Sequence, residues 1–397
     1  MPSSNRYAYL DWLRIMAIIG VLFFHSAMPY VAEWGWHIKN KETSNLLMEF
    51  NFFLSRFRMP LLFFISGAIT HVMLRSRTTG QFIALRFRRL LVPLLFGMLL
   101  IVPIQVYMER LHTGYKGNFL EFYPSVFTTG PYPKGNLSYH HLWFIAYLFV
   151  YDLIFAPIFR WLMRLPASRF SWWTKGLRVY LITVPSILLY TVLVLRFPET
   201  NDITNDWCYF IYWLGYLLAG FFALLVPGLM DVLAKYRRTS LTIALLVLLV
   251  LNYMRWNQKE PYDFFTDYSA HWQTYAYLLL YPLVGWFWVF TAVGYGKTYL
   301  DHKKPVLGYL NNAVYPFYIL HQTVIVVLTY YLVRTSDTIG MKYLFTVLST
   351  FFITMAIYHV VIRPNPVMRF LFGMKKAALK KEKKVTPETA TIPVVPA

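Results

Sequence analysis

The stretch from Tyr9 to Met28 reads YLDWLRIMAIIGVLFFHSAM and is long and apolar enough to cross a bilayer, because a membrane-spanning helix needs roughly 20 apolar residues. It nevertheless carries Asp11, Arg14 and His25. At about 100° per residue, the step from Arg14 to His25 advances roughly 20° past whole turns, so both side chains project from one face. Asp11 falls within about 60° of each, and the rise from Arg14 to His25 is about 16 Å.

This polar face is a candidate functional site. Ionisable groups inside hydrocarbon are energetically unfavourable and usually face a protein interior or a wet cavity. The alternative is structural: Asp11 and Arg14 pair and extend to the lipid headgroups, while His25 is a hydrogen-bonded packing residue. That alternative needs three separate explanations on one helix face, so we favour the functional interpretation.

The composition of the 397-residue chain is that of a polytopic membrane protein. Hydrophobic residues make up 57% of it and charged residues only 14%, whereas soluble domains have about 25% charged residues. The single Cys208 excludes an internal disulfide, a cysteine metal cluster and a CxxC redox motif, and we expect no metal site. Because Asp11 interrupts a long apolar core that begins close to the N-terminus, we expect the first stretch to remain as a helix rather than to be a cleaved signal.

Ten stretches are long enough to span a membrane, which predicts an all-α integral membrane protein. They lie near residues 8–30, 50–74, 89–108, 142–159, 178–196, 209–227, 240–254, 274–296, 314–333 and 343–362. We expect residues 1–373 to form one membrane domain and residues 374–397 to be a disordered basic tail near the inner leaflet.

The distribution of charge predicts the orientation. With the N-terminus inside, the cytoplasmic segments contain 25 Lys or Arg residues and the external loops contain ten, while Arg14, Arg56 and Arg58 lie within spans. This asymmetry follows the positive-inside rule, so we expect both termini in the cytoplasm and a location in the inner (plasma) membrane. The net charge of +20 then reflects topology and contact with anionic membrane lipids, and nucleic acid is not an expected partner.

Two arginines enter the second span, which begins NFFLSRFRMPLLFFISGAITH and runs from outside to inside. Arg56 and Arg58 therefore lie near the outer face and are candidate substrate-binding residues, although they could instead extend to the headgroups. Ser66 lies deeper and is a candidate supporting residue, while Gly67 permits close approach of another helix. Helix packing is the alternative role for Ser66 and Gly67.

A second group of arginines, Arg86, Arg88 and Arg89, precedes the third span at the level of Arg14. Guanidinium clusters bind phosphates through charge-assisted, often bidentate hydrogen bonds. An anionic cytosolic cofactor such as coenzyme A would suit this cluster. The alternative is that these are ordinary positive-inside residues.

Polar residues also occur in the fourth and ninth spans. The fourth opens with HHLWFIAYLFVYD, which brings His141 and Trp143 to the outer face near the level of His25. In the ninth, Tyr318 and His321 are three residues apart and share a helix face, at a depth that we place in the inner half. We expect His321 to be a hydrogen-bonded residue between helices more readily than a catalyst.

The outer loops and the motifs that the chain lacks limit which functions are compatible with the sequence. The outer loops near residues 31–49 and 109–140 are rich in aromatic residues, and they form either a sugar-binding surface or interfacial aromatic belts. The chain has no Walker loop, GxGxxG fingerprint, HExxH motif or GxSxG elbow. An internal anionic-cofactor patch, a transmembrane polar face and an external aromatic surface together fit transfer of a group from a cytosolic donor to an external acceptor.

Six sequence blocks carry a resemblance to a known family. They are Arg14-x10-His25, SRFRMPLLFFISG at Ser55 to Gly67, RFRR at Arg86 to Arg89, HLWFI at His141 to Ile145, NNAVYPFYILHQ at Asn311 to Gln322 and NPVMRFLFGMK at Asn365 to Lys375. In these blocks, and over nearly its whole length, the chain resembles acyltransferase family 3 of membrane O-acyltransferases, including its ten-helix plan.

The resemblance implies acyl transfer across the membrane from acyl-coenzyme A, a co-substrate rather than a resident cofactor, to a hydroxyl of an extracytoplasmic glycan or glucan. The acyl group would be acetyl or succinyl. His25 would be the general base on the acceptor hydroxyl or the first acyl acceptor. Arg14 would hold or guide the acyl-coenzyme A, and the cluster from Arg86 to Arg89 would bind its phosphates.

Other roles stay open at this point. Trp143, Arg56 and Arg58 are candidates to stabilise the oxyanion, and the two arginines could instead hold the carboxylate of a succinyl group. No carboxylate partner for His25 is evident at its depth, since Asp11 lies about 21 Å lower on an unbroken helix. The leading alternative function is a secondary transporter or flippase for an anionic glycan or lipid precursor, which predicts broken helices and an internal repeat.

Overall fold

The computed structural model describes residues 7–375. Within that range the chain has no β-strand and has ten helices long and apolar enough to cross a membrane, which confirms the predicted all-α, ten-helix plan. The ten are α1 (Ala8–Tyr30), α2 (Asn45–Leu74), α3 (Thr79–His112), α4 (His140–Leu162), α5 (Gly176–Leu193), α6 (Trp207–Leu225), α7 (Arg237–Phe264), α8 (Trp272–Tyr299), α9 (Pro305–Leu332) and α10 (Ile339–Ile362). The predicted basic tail lies, from residue 376 on, outside the described residues.

Alternate helices run in opposite directions, so the loops that follow α1, α3, α5, α7 and α9 share one end of the bundle, which we call the upper end. The sequence predicts that this end is extracytoplasmic. α1 packs against α2, α8, α9 and α10 and lies at the centre of the bundle. α7 is peripheral, since 17% of its apolar window is buried inside the protein against 67% for α9.

Prolines have different effects on three of the spanning helices. α3 widens into π-helical turns at Phe87–Leu91 and Gly97–Ile101, and a proline follows each within two residues. Proline lacks an N–H and clashes with the carbonyl four residues before it, and a π turn is one way to accommodate it. By contrast, α2 and α9 continue through Pro60 and Pro316, so neither shows the mid-span break that the transporter alternative predicts.

The crossing of α2 and α6 depends on two glycines. A Cβ added to Gly67 would lie 1.8 Å from the carbonyl oxygen of Leu217, and one added to Gly220 would lie 1.8 Å from the carbonyl oxygen of Phe64. The two backbones therefore touch where both side chains are absent. This confirms the predicted close approach at Gly67.

Candidate active site

The upper end of α1 is held by polar side chains from outside the helix. The buried amide of Asn51, on α2, donates to the carbonyl of Phe24 at 3.0 Å. The ammonium of Lys39, in the loop after α1, donates to the carbonyl of Met28 at 3.0 Å, and burial lowers the pKa of Lys39. These contacts occupy carbonyls near the end of the helix and position His25 between them.

His25 lies against a second histidine. Its Nδ1 is 2.9 Å from Nε2 of His321 on α9, and the two rings are nearly parallel, with centroids 5.1 Å apart. The sequence places His321 in the inner half of the membrane, below His25. That placement is wrong, because the contact brings the two imidazoles to one level.

The hydrogen bonds of His321 determine which nitrogen of His25 carries a proton. Nδ1 of His321 is 2.6 Å from the carbonyl oxygen of Tyr318. A carbonyl oxygen only accepts, so this nitrogen carries the proton and Nε2 of neutral His321 has a lone pair. His25 must then donate its Nδ1 proton to that lone pair. The Nε2 of His25 is left unprotonated, and the side chain is partly exposed.

His141 and Tyr318 support this pair from behind. The imidazole of His141 is buried, its Nε2 donates to the carbonyl of Ile319 at 3.0 Å, and its ring lies edge-on to that of His321 at 5.2 Å. The hydroxyl of Tyr318 donates to the carbonyl of His141. The sequence predicts that His141 contacts substrate, but the structure uses it to join α4 to α9 beneath the histidine pair.

A polar cluster beside the histidine pair is not predicted from the sequence. Nδ1 of His37 lies 2.5 Å from Oε2 of Glu109. The other carboxylate oxygen, Oε1, accepts the hydroxyl of Tyr132 at 3.2 Å. Burial and Glu109 raise the pKa of Tyr132 to about 12. The amide of Gln322 lies 3.2 Å from Nε2 of His37. Four separate segments meet here, so no local spacing in the sequence predicts the cluster.

Arg56 and Arg58 lie near an acidic residue that the sequence does not single out. Glu199, in the loop after α5, has both arginines as its electrostatic neighbours. Its side chain is accessible to solvent, although neighbouring protein atoms still desolvate its carboxylate. Burial raises the pKa of Glu199, while the two arginines act in the opposite direction.

The arginine pair also reaches toward His25. The guanidinium of Arg58 lies 3.4 Å above the ring of Phe24, whose centroid is 5.4 Å from that of His25. The guanidinium of Arg56 lies 4.9 Å from the ring of Tyr281. Both cations therefore lie against aromatic faces.

Trp143 and Ser66 have packing contacts. The ring of Trp143 lies 5.3 Å from that of Tyr147 and 5.9 Å from that of Trp213, within an aromatic cluster between α4 and α6. The hydroxyl of Ser66 donates to the carbonyl of Leu62 in its own helix at 2.8 Å. These contacts agree with the helix-packing alternative for Ser66.

At the lower end of α1, Arg14 lies 3.5 Å from a carboxylate oxygen of Asp11. The sequence predicts this pairing, and it is confirmed. The Arg14 side chain as a whole stays 28% exposed, so it can contact a further group. α1 is helical without interruption from Ala8 to Ala27, and Arg14 and His25 therefore share a face about 16 Å apart.

The three arginines near the start of α3, Arg86, Arg88 and Arg89, lie in two different environments. Nε of Arg86 lies 2.8 Å from a carboxylate oxygen of Asp152, and both side chains are buried. The same guanidinium donates to the hydroxyl of Thr70 at 2.7 Å. The prediction that Arg86 binds phosphate is corrected here, because its guanidinium is used inside the protein. Arg88 is exposed and Arg89 is partly exposed.

Within the described residues, no group of three or more His, Cys, Asp or Glu side chains has the arrangement of a metal site. Arginines are the candidates to hold an anionic ligand: Arg14, Arg88 and Arg89 at the lower end, and Arg56 and Arg58 near the upper end.

The chain is similar over nearly its whole length to known proteins. The model of a family described as an acyltransferase domain matches residues 7–359. The chain is 22% identical over 409 residues to glucans biosynthesis protein C of Salmonella typhimurium, with 97% of this chain and 99% of the relative covered. It is 21% identical over 403 residues to the protein of the same name from Escherichia coli K12, with 98% and 99% covered. No solved structure matches the chain significantly.

Proposed function

The chain belongs to the acyltransferase domain family, and we propose that it transfers an acyl group from acyl-coenzyme A to a hydroxyl of a glycan on the other side of the membrane. The relatives named glucans biosynthesis protein C support a glucan as the acceptor. The excess of Lys and Arg in alternate loops supports an inner-membrane location with both termini in the cytoplasm.

The observation that carries the proposal is the protonation pattern of the histidine pair. The carbonyl of Tyr318 sets the tautomer of His321, and His321 in turn sets that of His25. A general base needs an unprotonated nitrogen within reach of the substrate. Nε2 of His25 meets that requirement on a partly exposed side chain.

The reaction proceeds by direct transfer. The acceptor hydroxyl gives its proton to Nε2 of His25 as its oxygen attacks the carbonyl carbon of the thioester. The C–S bond then breaks, the thiolate of coenzyme A takes the proton from His25, and the ester remains on the sugar. His321 holds the imidazole in the correct orientation throughout, in the way that a triad's third residue orients its histidine.

Arg58 is the cation best located to stabilise charge that develops at the carbonyl oxygen. It lies over Phe24, the residue before His25, and a guanidinium fixed on an aromatic face needs little rearrangement during the reaction. Where the acyl group is succinyl, Arg56 provides a second cation for its carboxylate.

The donor binds from the lower end. Arg14, Arg88 and Arg89 hold the phosphates of acyl-coenzyme A by charge-assisted hydrogen bonds, and the reactive thioester reaches His25 along the shared face of α1. Arg86 acts indirectly in this scheme, because its pairing with Asp152 fixes the start of α3 against α4 and so positions its neighbours.

The test is thiol release from acetyl- and succinyl-coenzyme A by the full chain in nanodiscs, with a mixture of glucose oligosaccharides as acceptors and mass spectrometry of the products. We expect the wild type to release thiol and to add the matching mass to a sugar. His25→Ala should lower the rate by at least about 100-fold, since general-base catalysis contributes roughly 10² to 10⁴.

His112→Ala is the matched control, because His112 is an exposed histidine at the upper end of α3 outside the proposed site. It should retain the wild-type rate. If folded wild type consumes neither donor, the acyl-transfer proposal is wrong, and uptake of labelled glycan into proteoliposomes then tests the transporter alternative.

A further inference from the structure

A cavity of about 640 Å³ lies at the upper end of the bundle, beside the histidine site. Its walls come from the loop after α1, the start of α2, the end of α7 and the start of α8. Its volume falls within the range of about 300 to 1,000 Å³ that is usual for small-molecule sites. None of the roles assigned above to catalysis or donor binding requires this cavity, apart from that of Arg56.

Aromatic side chains form much of its lining. Trp34, Trp256, Tyr262 and Tyr281 all border the cavity. Trp256 is 62% exposed and Tyr262 is 55% exposed, so their ring faces are available to a ligand. The C–H faces of a pyranose ring pack against such flat apolar surfaces, while tyrosine and tryptophan also provide a polar atom at the ring edge.

The polar lining suits hydroxyl groups rather than a charged ligand. Three glutamates and two arginines border the cavity. Arg255 is already neutralised, because its guanidinium donates to both carboxylate oxygens of Glu49, at 3.1 and 3.3 Å. Glu33 lies 4.0 Å from the same guanidinium but is 59% exposed, and Glu260 accepts the hydroxyl of Tyr277, so each carboxylate keeps further acceptor capacity. Arg56 adds a donor of opposite charge. A sugar hydroxyl both donates and accepts, so it can pair with either kind of group.

Two residues that line the cavity lie close to the residues around His25. Arg56 lines the cavity, and Arg58, two residues further along the helix, covers the ring of Phe24 next to His25. On the other side, the ring of Trp34 lies 5.8 Å from that same Phe24 ring. Through the rings of Trp34 and Phe24 the cavity lies within two ring contacts of His25, the side chain that the acceptor hydroxyl must reach.

We propose that this cavity binds the acceptor, as a neutral glucose-type oligosaccharide segment stacked on Trp256, Tyr262 and Trp34 with its hydroxyls paired to Glu33 and Glu260. That the bound sugar is the acceptor of the acyl group rests on the proposed function. Sugar binding itself does not depend on it, so the two can be tested separately.

Binding is measured first, without any acyl donor. Cys208, the single cysteine of the chain, is buried, so an introduced cysteine can be labelled selectively with a maleimide. Asn45→Cys puts the thiol at an exposed position in the cavity wall, and Lys116→Cys puts it at an exposed position of another upper loop. A mixture of glucose oligosaccharides should slow labelling at position 45 severalfold and leave the rate at position 116 unchanged.

The kinetic arm uses acyl transfer to the same oligosaccharides. Trp256→Ala should raise the KM for sugar about tenfold, which corresponds to the loss of roughly 1.4 kcal/mol of binding, with a smaller change in kcat. Trp256→Phe, which keeps an aromatic face, should recover most of the affinity. Trp272→Ala is the control, because Trp272 is exposed at the upper end and does not line the cavity.

These results distinguish failure of the sugar site from failure of the proposed acyl transfer. Unchanged labelling at position 45 with oligosaccharide overturns the sugar site, whether or not the wild type transfers an acyl group. Protection at position 45 without any transfer by the wild type supports the sugar site and overturns the proposed reaction. Equal increases in KM for Trp256→Ala and Trp272→Ala also count against the cavity, since they indicate a general effect of the upper surface.

Discussion

His25 donates its Nδ1 proton to Nε2 of His321 across 2.9 Å, although the two residues are 296 positions apart in the chain. In serine hydrolases the residue that orients the catalytic histidine is a carboxylate. A carboxylate in a spanning helix would have to be desolvated with its charge. A neutral imidazole held by the carbonyl of Tyr318 orients His25 without that penalty.

Replacement of His321 tests the orientation directly. His321→Ala removes the acceptor of the His25 Nδ1 proton, so that the imidazole can rotate or change tautomer. We expect kcat for acyl transfer to fall about 100-fold, because small misplacements of a catalytic group often lower the rate by that factor. The KM for acyl-coenzyme A should change little. Steady-state kinetics of the purified variant in nanodiscs measures both.

His321→Gln is the matched variant, because its side-chain oxygen can accept the same proton. It should recover a substantial part of the lost kcat. An equal loss in the alanine and glutamine variants would contradict the tautomer argument and leave His321 a packing residue only.

Mutation of Arg86 should lower folding stability, whereas mutation of Arg88 should weaken binding of acyl-coenzyme A. Arg86→Ala leaves the buried carboxylate of Asp152 without its ion partner, a change that costs about 3 to 5 kcal/mol of folding stability. Arg88→Ala removes an exposed cation and should leave the thermal midpoint unchanged while raising the KM for acyl-coenzyme A about tenfold. Thermal unfolding in detergent and donor titrations distinguish the two. A stable Arg86→Ala protein with only a raised KM would restore Arg86 to the phosphate-binding group.

Gly67 should not tolerate a side chain. The Cβ of Gly67→Ala would lie 1.8 Å from the carbonyl oxygen of Leu217, so α2 and α6 must separate, with a loss of about 1 to 3 kcal/mol or more. Gly308→Ala is the control, since a Cβ there meets nothing within 4 Å and should be neutral or slightly stabilising. Monodisperse protein yield and thermal midpoint report the difference, and equal midpoints would show that α6 can move.

Stability should depend on pH through Asp206, the residue before α6. It is buried and accepts the hydroxyl of Tyr147 at 2.7 Å, and burial raises its pKa to about 7. An unfolded aspartate has a pKa near 3.9, so the folded protein binds this proton more tightly. The resulting stabilisation is complete below about pH 4 and is lost as the pH rises through about 7.

We therefore expect the thermal midpoint of the wild type to fall between about pH 4 and about pH 8 by more than that of Asp206→Asn, which does not titrate. Thermal scans of both proteins across this range measure the difference. Parallel pH profiles would show that Asp206 does not contribute to the dependence.

Hydrophobic length and charge distribution are local properties, and they suffice to predict much of this protein. The ten spans, the shared face of Arg14 and His25, and the pairing of Asp11 with Arg14 follow from helix geometry alone. The close approach at Gly67 follows from the absence of a side chain. Each of these depends on residues within one helix.

The partner of each polar group depends on the packing of the helices and does not follow from the sequence of any one of them. His321 lies far along the chain from its partner His25, and Glu109 lies far from its partner His37. Arg86 and Arg88 are the same residue type only two positions apart, yet Arg86 is buried against Asp152 and Arg88 is exposed. The physical reason is that a helix's periodicity defines its faces but not which neighbouring helix each face meets. That choice depends on how all ten helices pack together, with glycines such as Gly67 and Gly220 setting how closely two of them approach.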